Sequence, residues 1–193
     1  MSKLLFIDTE TTGVDRQKSG IYQIAGIIEC DGKVQEEFDF KCDIFKNDTV
    51  DEKVMIMNGK TLKDLRSYPG PEETFLRFTE LLSQYVNKFD KEDKFIVIGY
   101  FADFDAEMLR TWFSKNNDKY FGSWFWHPWI DVAQLVAYLS IENRHLFPNF
   151  KLITVTSLLG VDNKEEKYHD ALFGVRVTRE LYVKVDTVLR GDF

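Results

Sequence analysis

The sequence has few cysteines and no long hydrophobic run, and each shortage excludes a class of protein. Its 193 residues include two cysteines, Cys30 and Cys42, which are too few for a disulfide framework and lack partners at zinc-ligand spacing. No apolar segment approaches the roughly 18 residues that cross a bilayer, and no basic region precedes an apolar signal core at the N-terminus. We therefore expect a cytoplasmic protein with free thiols and no membrane partner.

Positive charge is also in short supply. The chain has 25 basic and 32 acidic residues, which gives a net charge of −7. This balance argues against broad, nonspecific clamping of a phosphate backbone. It does not exclude nucleic acid, because an enzyme that grips only a chain end can let metal ions offset the phosphate charge, and a clustered acidic site adds to the negative total.

Nothing in the composition divides the chain. Hydrophobic residues make up 44% and aromatic residues 15% of the sequence, which is typical of a globular protein with a sizeable core. No linker-like, repetitive or low-complexity segment interrupts it. We expect a single domain over residues 1–193.

Apolar spacing predicts an α/β domain. Strands are predicted at residues 4–7, 21–30, 33–40 and 95–100, and the turn signal Asp31-Gly32 makes the second and third antiparallel. Helices are predicted at residues 61–66, 72–86, 105–113, 131–139, 152–159 and 168–190. Residues 41–68 show no recognisable chemistry. The aromatic residues of 120–129 are interpreted as core or a covering loop rather than as a base-stacking surface.

Two carboxylates follow the first predicted strand. Asp8 and Glu10 come directly after the apolar run Leu4–Ile7, and because side chains alternate along a strand they point the same way. Such a pair repels itself unless a cation lies between, and hard divalent cations prefer oxygen ligands. A solvated strand end is the alternative, which the apolar lead-in and the Thr-Thr-Gly sequence of residues 11–13 disfavour.

Two further polar residues stand where helices are predicted to begin. Asp105 lies where the strand at 95–100 gives way to a helix, the edge at which open α/β sheets bind ligands, although a helix cap is an equally good interpretation. His169 lies in the first turn of the last predicted helix, where a neutral imidazole can take a proton from water. An isolated histidine there would be interpreted as a surface residue.

Together these residues resemble the DnaQ-like 3′–5′ exonucleases of the type named for four acids and a histidine. The first family motif matches Phe6–Gly13, the second matches Gly99–Leu109, and the third matches His169–Leu172 followed by Arg176–Leu181. Order and spacing agree over nearly the whole chain. The resemblance implies a ribonuclease H-like α/β fold, with a mixed sheet that is antiparallel in its first three strands, parallel beyond them and flanked by helices.

The resemblance also implies a role for each matching residue. Asp8 would bridge two Mg²⁺ or Mn²⁺ ions, Glu10 would hold one of them, and Asp105 would anchor the other. Two such ions stabilise the attacking and leaving oxygens of an in-line displacement at phosphorus. His169 would deprotonate the attacking water. The 3′-terminal nucleotide would lie in a pocket lined by Thr11, Thr12 and Gly13.

Two positions depart from the family pattern. The family usually carries Asn where this chain has Phe101, and the last acid, five residues beyond the histidine, is replaced by Gly174. A metal ligand is therefore missing. Glycine costs about 1 kcal/mol relative to alanine inside a helix, so helix stability gives no reason for it. Asp170 would reach the ions only through water or a shifted helix.

Three interpretations follow. The chain is an exonuclease acting on a single-stranded 3′ end, with DNA favoured over RNA, a DNA polymerase as a candidate partner and turnover impaired by Gly174. Alternatively, it is a nucleic-acid-binding or polymerase-binding protein that kept the fold and lost full metal coordination. The third interpretation is an active enzyme that was altered at position 174 by design.

Overall fold

A computed structural model of the chain describes residues 2–161 and 169–191, and a five-stranded sheet lies at its centre. The strands are β1 (Lys3–Thr11), β2 (Ile21–Cys30), β3 (Lys33–Lys41), β4 (Ile96–Gly99) and β5 (Ile130–Asp131). Their order across the sheet is β3-β2-β1-β4-β5. β2 is antiparallel to both β1 and β3, whereas β4 is parallel to both β1 and β5. The predicted mixed sheet is confirmed.

Helices connect and flank these strands. They are α1 (Glu52–Met57), α2 (Leu62–Leu65), α3 (Pro71–Ser83), α4 (Ala102–Lys115), α5 (Phe121–Trp124), α6 (Val132–Leu139), α7 (Leu152–Leu158) and α8 (Ala171–Arg190), with a short 3₁₀ helix at Ile141–Leu146. The six predicted helices correspond to α2, α3, α4, α6, α7 and α8. The sequence did not predict α1, because it buries one residue, Met55, and so has no apolar stripe. None of the described helices is long and apolar enough to cross a membrane.

The sheet separates two hydrophobic clusters, and β1 contributes to both. Leu5 and Ile7 pack into the cluster that contains residues of α3 and α4. Phe6 packs on the opposite side, with residues of α6 and α8. Because side chains alternate along a strand, Asp8 and Glu10 lie on the same side of the sheet as Phe6, facing α8.

The two carboxylates lie within the strand rather than after it, which corrects the predicted strand end. β1 continues to Thr11 because β2 still pairs with it there, with Asp8 opposite Ala25 and Glu10 opposite Gln23. The apolar run covers only the first part of this strand, and Thr9 and Thr11 are buried beyond it.

The last helix begins later than predicted. Asp170 is its N-cap, and Oδ1 of Asp170 accepts hydrogen bonds from the backbone N–H groups of Leu172 (3.1 Å) and Phe173 (3.3 Å). His169 therefore stands in the turn before α8 and not in its first helical turn. Tyr168, where the prediction began the helix, lies outside the described residues.

Candidate active site

Asp8, Glu10 and Asp105 form what we call the carboxylate cluster. Asp105 lies in the first turn of α4 and is 3% exposed. Its Oδ1 accepts hydrogen bonds from the backbone N–H (3.1 Å) and the hydroxyl (2.6 Å) of Thr9, which stands between the other two acids in β1. The cap position of α4 belongs to Phe101, so Asp105 is not the helix cap that the sequence left open as an alternative.

Glu10 is held by a network that sequence reasoning missed. Its Oε2 accepts hydrogen bonds from the Tyr22 hydroxyl (3.3 Å) and from Nδ2 of Asn58 (3.2 Å). Nδ2 of Asn58 also donates to the Tyr22 hydroxyl over 2.9 Å. Asn58 belongs to the stretch in which the sequence shows no recognisable chemistry. Because Asn58 lies 48 positions from Glu10, no periodic pattern in the sequence connects the two residues.

The cluster is electrostatically strained without a cation. Burial raises the pKa of Asp8 well above its ordinary value, and the neighbouring charges of Asp105 and Glu10 raise it further. Burial raises the pKa of Glu10 to about 7, although the hydrogen bond from Tyr22 opposes the shift. Burial likewise raises the pKa of Asp105 to about 7 against the hydrogen bonds from Thr9. A positive ion would relieve this cost.

Gly174 of α8 lies directly against the cluster. A β-carbon at position 174 would overlap Oδ2 of Asp8, with the carboxyl carbon 3.3 Å away. The Asp8 carboxylate thus occupies the space that a side chain at 174 would need. The position at which the family pattern has its fourth acid faces the carboxylate cluster here, but it supplies no oxygen.

The cluster fits a divalent cation in the type of its donors and falls short in their number. Carboxylate oxygens are the ligands that Mg²⁺ and Mn²⁺ prefer. However, within residues 2–161 and 169–191 no three acid, imidazole or thiol side chains are already grouped as they would be around an ion. One oxygen of Asp105 is hydrogen-bonded to Thr9, and Gly174 has no oxygen to offer.

Asp170 and His169 stand at the end of α8 that approaches the cluster. The charge of Asp170 contributes to raising the pKa values of Asp8 and Glu10, so its carboxylate is close enough to act on both. Because Oδ1 of Asp170 accepts both cap hydrogen bonds of α8, that oxygen is not available to replace the missing ligand while the cap is intact. His169 is exposed to solvent in the turn before α8.

The two hydroxyls of the Thr-Thr-Gly segment form hydrogen bonds within the protein. The hydroxyl of Thr11 donates to the carbonyl of Gly13 over 2.8 Å, and the hydroxyl of Thr12 donates to the carbonyl of Thr49 over 2.6 Å. The Thr12 oxygen also accepts from the N–H of Gly20 over 2.8 Å. These bonds shape the loop beside the cluster, and the nucleotide contacts expected of Thr11, Thr12 and Gly13 stay a prediction.

The raised pKa values predict that the metal-free protein loses stability as the pH rises. Between 4.5, the ordinary pKa of Glu10, and about 7, the unfolded chain has released a proton that the folded protein still holds. The folded state then binds more protons, so the free energy of unfolding falls with pH. We expect Tm in chelator to fall across this window and the fall to be shallower in Glu10→Gln. Parallel curves for the two proteins would contradict the prediction.

Comparison with known proteins places these features in a family. The RNase T exonuclease family matches residues 5–182 of the chain. The DNA polymerase III epsilon subunit of Aquifex aeolicus (strain VF5) is 24% identical over 180 residues, which covers 93% of this chain and 78% of the relative.

Solved structures agree in fold. E. coli exonuclease I in complex with a dT13 oligonucleotide matches with a TM-score of 0.76 at 22% identity, over 100% of this chain and 43% of exonuclease I. The zinc-bound form of its single-stranded DNA complex matches with a TM-score of 0.75 at 21% identity, over 98% of this chain and 41% of that one. The chain thus spans less than half the length of exonuclease I, and the ribonuclease H-like fold is confirmed. With nearly its whole length matched by the family and all three motifs in order, the chain belongs to the RNase T exonuclease family, of the DnaQ-like type.

Proposed function

We propose that this chain is a metal-dependent 3′–5′ exonuclease that hydrolyses phosphodiester bonds at the 3′ end of a single-stranded nucleic acid. The observation that carries the proposal is the convergence of Asp8, Glu10 and Asp105 at one edge of the sheet, next to the start of α8. DNA is favoured over RNA because the exonuclease I complexes hold DNA oligonucleotides. Cytoplasmic location and a DNA polymerase partner, suggested by the epsilon subunit, belong to the same proposal.

Each residue of the site has a separate task in this reaction. Bound Mg²⁺ or Mn²⁺ supplies the positive charge that stabilises the attacking and leaving oxygens. The three acids of the carboxylate cluster would hold the ions. Thr9 orients Asp105, while Tyr22 and Asn58 orient Glu10. His169 would accept the proton of the attacking water, because an imidazole can act as a general base and His169 adjoins Asp170, whose charge acts on Asp8 and Glu10.

Turnover should be slow for a member of this family. Gly174 contributes no oxygen, and the Asp8 carboxylate lies in the space of the absent side chain. Imprecise placement of ions shifts the in-line geometry on which phosphoryl transfer depends, and a displacement of about 1 Å can cost a hundredfold in rate.

The same observation favours a second candidate function, which is binding of a nucleic-acid 3′ end without cleavage. In that case the carboxylate cluster would still bind a cation and a terminal phosphate, but the incomplete ligand set would not activate water. Both functions require recognition of the 3′ end, but only the first includes cleavage of the strand.

We expect faster degradation of a single strand with a free 3′ hydroxyl than of the same strand with a blocked 3′ end, with little dependence on sequence. The physical reason is that the residues the structure describes offer acids beside a loop and no element that reads base edges. The rates would be compared in Mg²⁺ and in chelator, with Asp8→Asn as the inactive control. Equal rates on both strands would contradict end recognition. Tighter binding of the strand with the free 3′ hydroxyl, without cleavage of either strand, would favour the second candidate.

A further inference from the structure

Phe101 has a conformation and an exposure that folding alone does not explain. Its backbone lies in the left-handed helical region, with φ 56° and ψ 44°, and the residue is 52% exposed. A bulky L-residue is strained in this region, and an exposed ring recovers little of the cost through burial. Strain of this kind is concentrated at functional sites.

The surroundings of Phe101 fix this conformation. Its backbone N–H donates to Oδ1 of Asp131 over 3.1 Å, and the same oxygen caps α6. Its ring meets the ring of Tyr100 edge-on, with the centroids 5.0 Å apart. The Tyr100 hydroxyl donates in turn to the carbonyl of Phe150 over 2.7 Å. The backbone of Phe101 is therefore held by Asp131, and its ring packs on Tyr100, which Phe150 holds in turn.

Phe101 is connected to the carboxylate cluster through Asp131, which accepts a hydrogen bond from its backbone N–H and whose charge acts on Asp105. β4 runs parallel to β1, and its last residue, Gly99, lies against Ile7, the residue before Asp8. Phe101 follows at the point where the chain turns into α4, whose first turn carries Asp105. A ring at this place can meet a nucleotide whose phosphate lies at the cluster.

An aromatic groove begins next to Phe101. Its volume is about 520 Å³, and its lining includes Ala102 and Asp131, which are the chain neighbour and the hydrogen-bond partner of Phe101. Trp126 and Trp129 form part of its wall. A single-stranded nucleic acid that runs from the cluster past Phe101 would thus contact further aromatic side chains.

We propose that the Phe101 ring stacks on a nucleobase of the single strand whose 3′ end lies at the carboxylate cluster. This inference rests on the proposed function, and it names a residue that binds the single-stranded nucleic acid. Stacking suits a chain with a net charge of −7, because every base presents a π face and the contact needs no positive side chain. It also gives affinity without sequence preference.

Two substitutions separate the effect of the aromatic ring on binding from the effect of the backbone strain on stability. Asparagine tolerates the left-handed conformation, so Phe101→Asn should raise Tm by about 2 °C while it weakens binding. Phe101→Trp keeps an aromatic face and should retain the affinity. Binding would be measured by fluorescence anisotropy in Mg²⁺, on an oligothymidylate of roughly ten nucleotides with nuclease-resistant phosphorothioate linkages at its 3′ end. We expect Kd to rise about tenfold in Phe101→Asn, which is the effect of one stacked base.

Oligonucleotides with a single abasic site then identify the stacked base. At one position near the 3′ end, loss of the base should weaken binding to the wild type about tenfold and leave binding to Phe101→Asn unchanged. Equal losses in both proteins at every position, or unchanged affinity in Phe101→Asn, would overturn the inference while leaving the exonuclease proposal intact. If the wild type neither bound nor degraded the strand, the proposed function itself would fail.

Discussion

Gly174→Asp is expected to raise exonuclease turnover at saturating Mg²⁺ by about a hundredfold or more. The new carboxylate would enter the cluster from α8, on the side where Asp8 now fills the space. It would add the ligand that the family pattern has at this position. Better-placed ions would then restore the in-line geometry. The measurement is kcat on a single-stranded oligonucleotide with a free 3′ hydroxyl.

The structure changes what this substitution should do to stability. The sequence alone suggests that folding tolerates an aspartate here, but any side chain at 174 overlaps Oδ2 of Asp8, so that carboxylate has to rotate. Without metal, a further negative charge beside Asp8 and Glu10 should lower Tm. With Mg²⁺, tighter ion binding should raise Tm above that of the wild type, since a ligand that binds only the folded state stabilises it.

Gly174→Asn is the matched control for this substitution. It has the same shape and requires the same movement of Asp8, but it carries no negative charge. We expect Gly174→Asn to lose stability without gaining turnover, and to respond less to Mg²⁺ than Gly174→Asp. If the glycine and aspartate proteins cleaved equally fast, Asp170 or water would already complete the site, and our account of position 174 would be wrong.

The local part of the site could be predicted from the sequence because it follows short-range rules. Alternation along a strand places Asp8 and Glu10 together, and the junction of a buried strand with a helix places Asp105 at the same sheet edge. The structure agrees that these three carboxyls are neighbours. The long helices were predictable for the same reason, since each has an apolar period over many residues, whereas the mixed arrangement of the sheet was implied by the family resemblance.

The parts that the sequence did not predict depend on contacts between distant residues. Tyr22 and Asn58 reach Glu10 from separate elements, and nothing in their local sequence marks them. The left-handed backbone of Phe101 depends on Asp131, which lies 30 positions away. The end of β1 was misjudged because pairing with β2, and not the apolar run, decides where the strand stops. Short-range patterns therefore locate the acids and miss the residues that orient them.

His169→Asn is expected to lower kcat by about a hundredfold to ten-thousandfold, the usual contribution of a general base. Asparagine keeps a polar side chain of similar size but cannot take a proton from water. Because His169 is exposed and lies outside α8, the substitution should leave Tm unchanged. Affinity for Mg²⁺, measured by calorimetry, should also be unchanged, since His169 is not among the proposed ligands.

The matched control is His145→Asn, which changes an exposed histidine in the 3₁₀ helix at Ile141–Leu146. It should leave kcat, Tm and Mg²⁺ affinity at wild-type values. Both histidine variants would be made in the wild type and in Gly174→Asp, so that a slow starting rate does not hide the loss. An equal rate for His169→Asn and His145→Asn in both backgrounds would remove His169 from the reaction. A fall in Mg²⁺ affinity alongside the rate would instead make His169 a metal ligand, because a proton acceptor that touches only water has no reason to change ion binding.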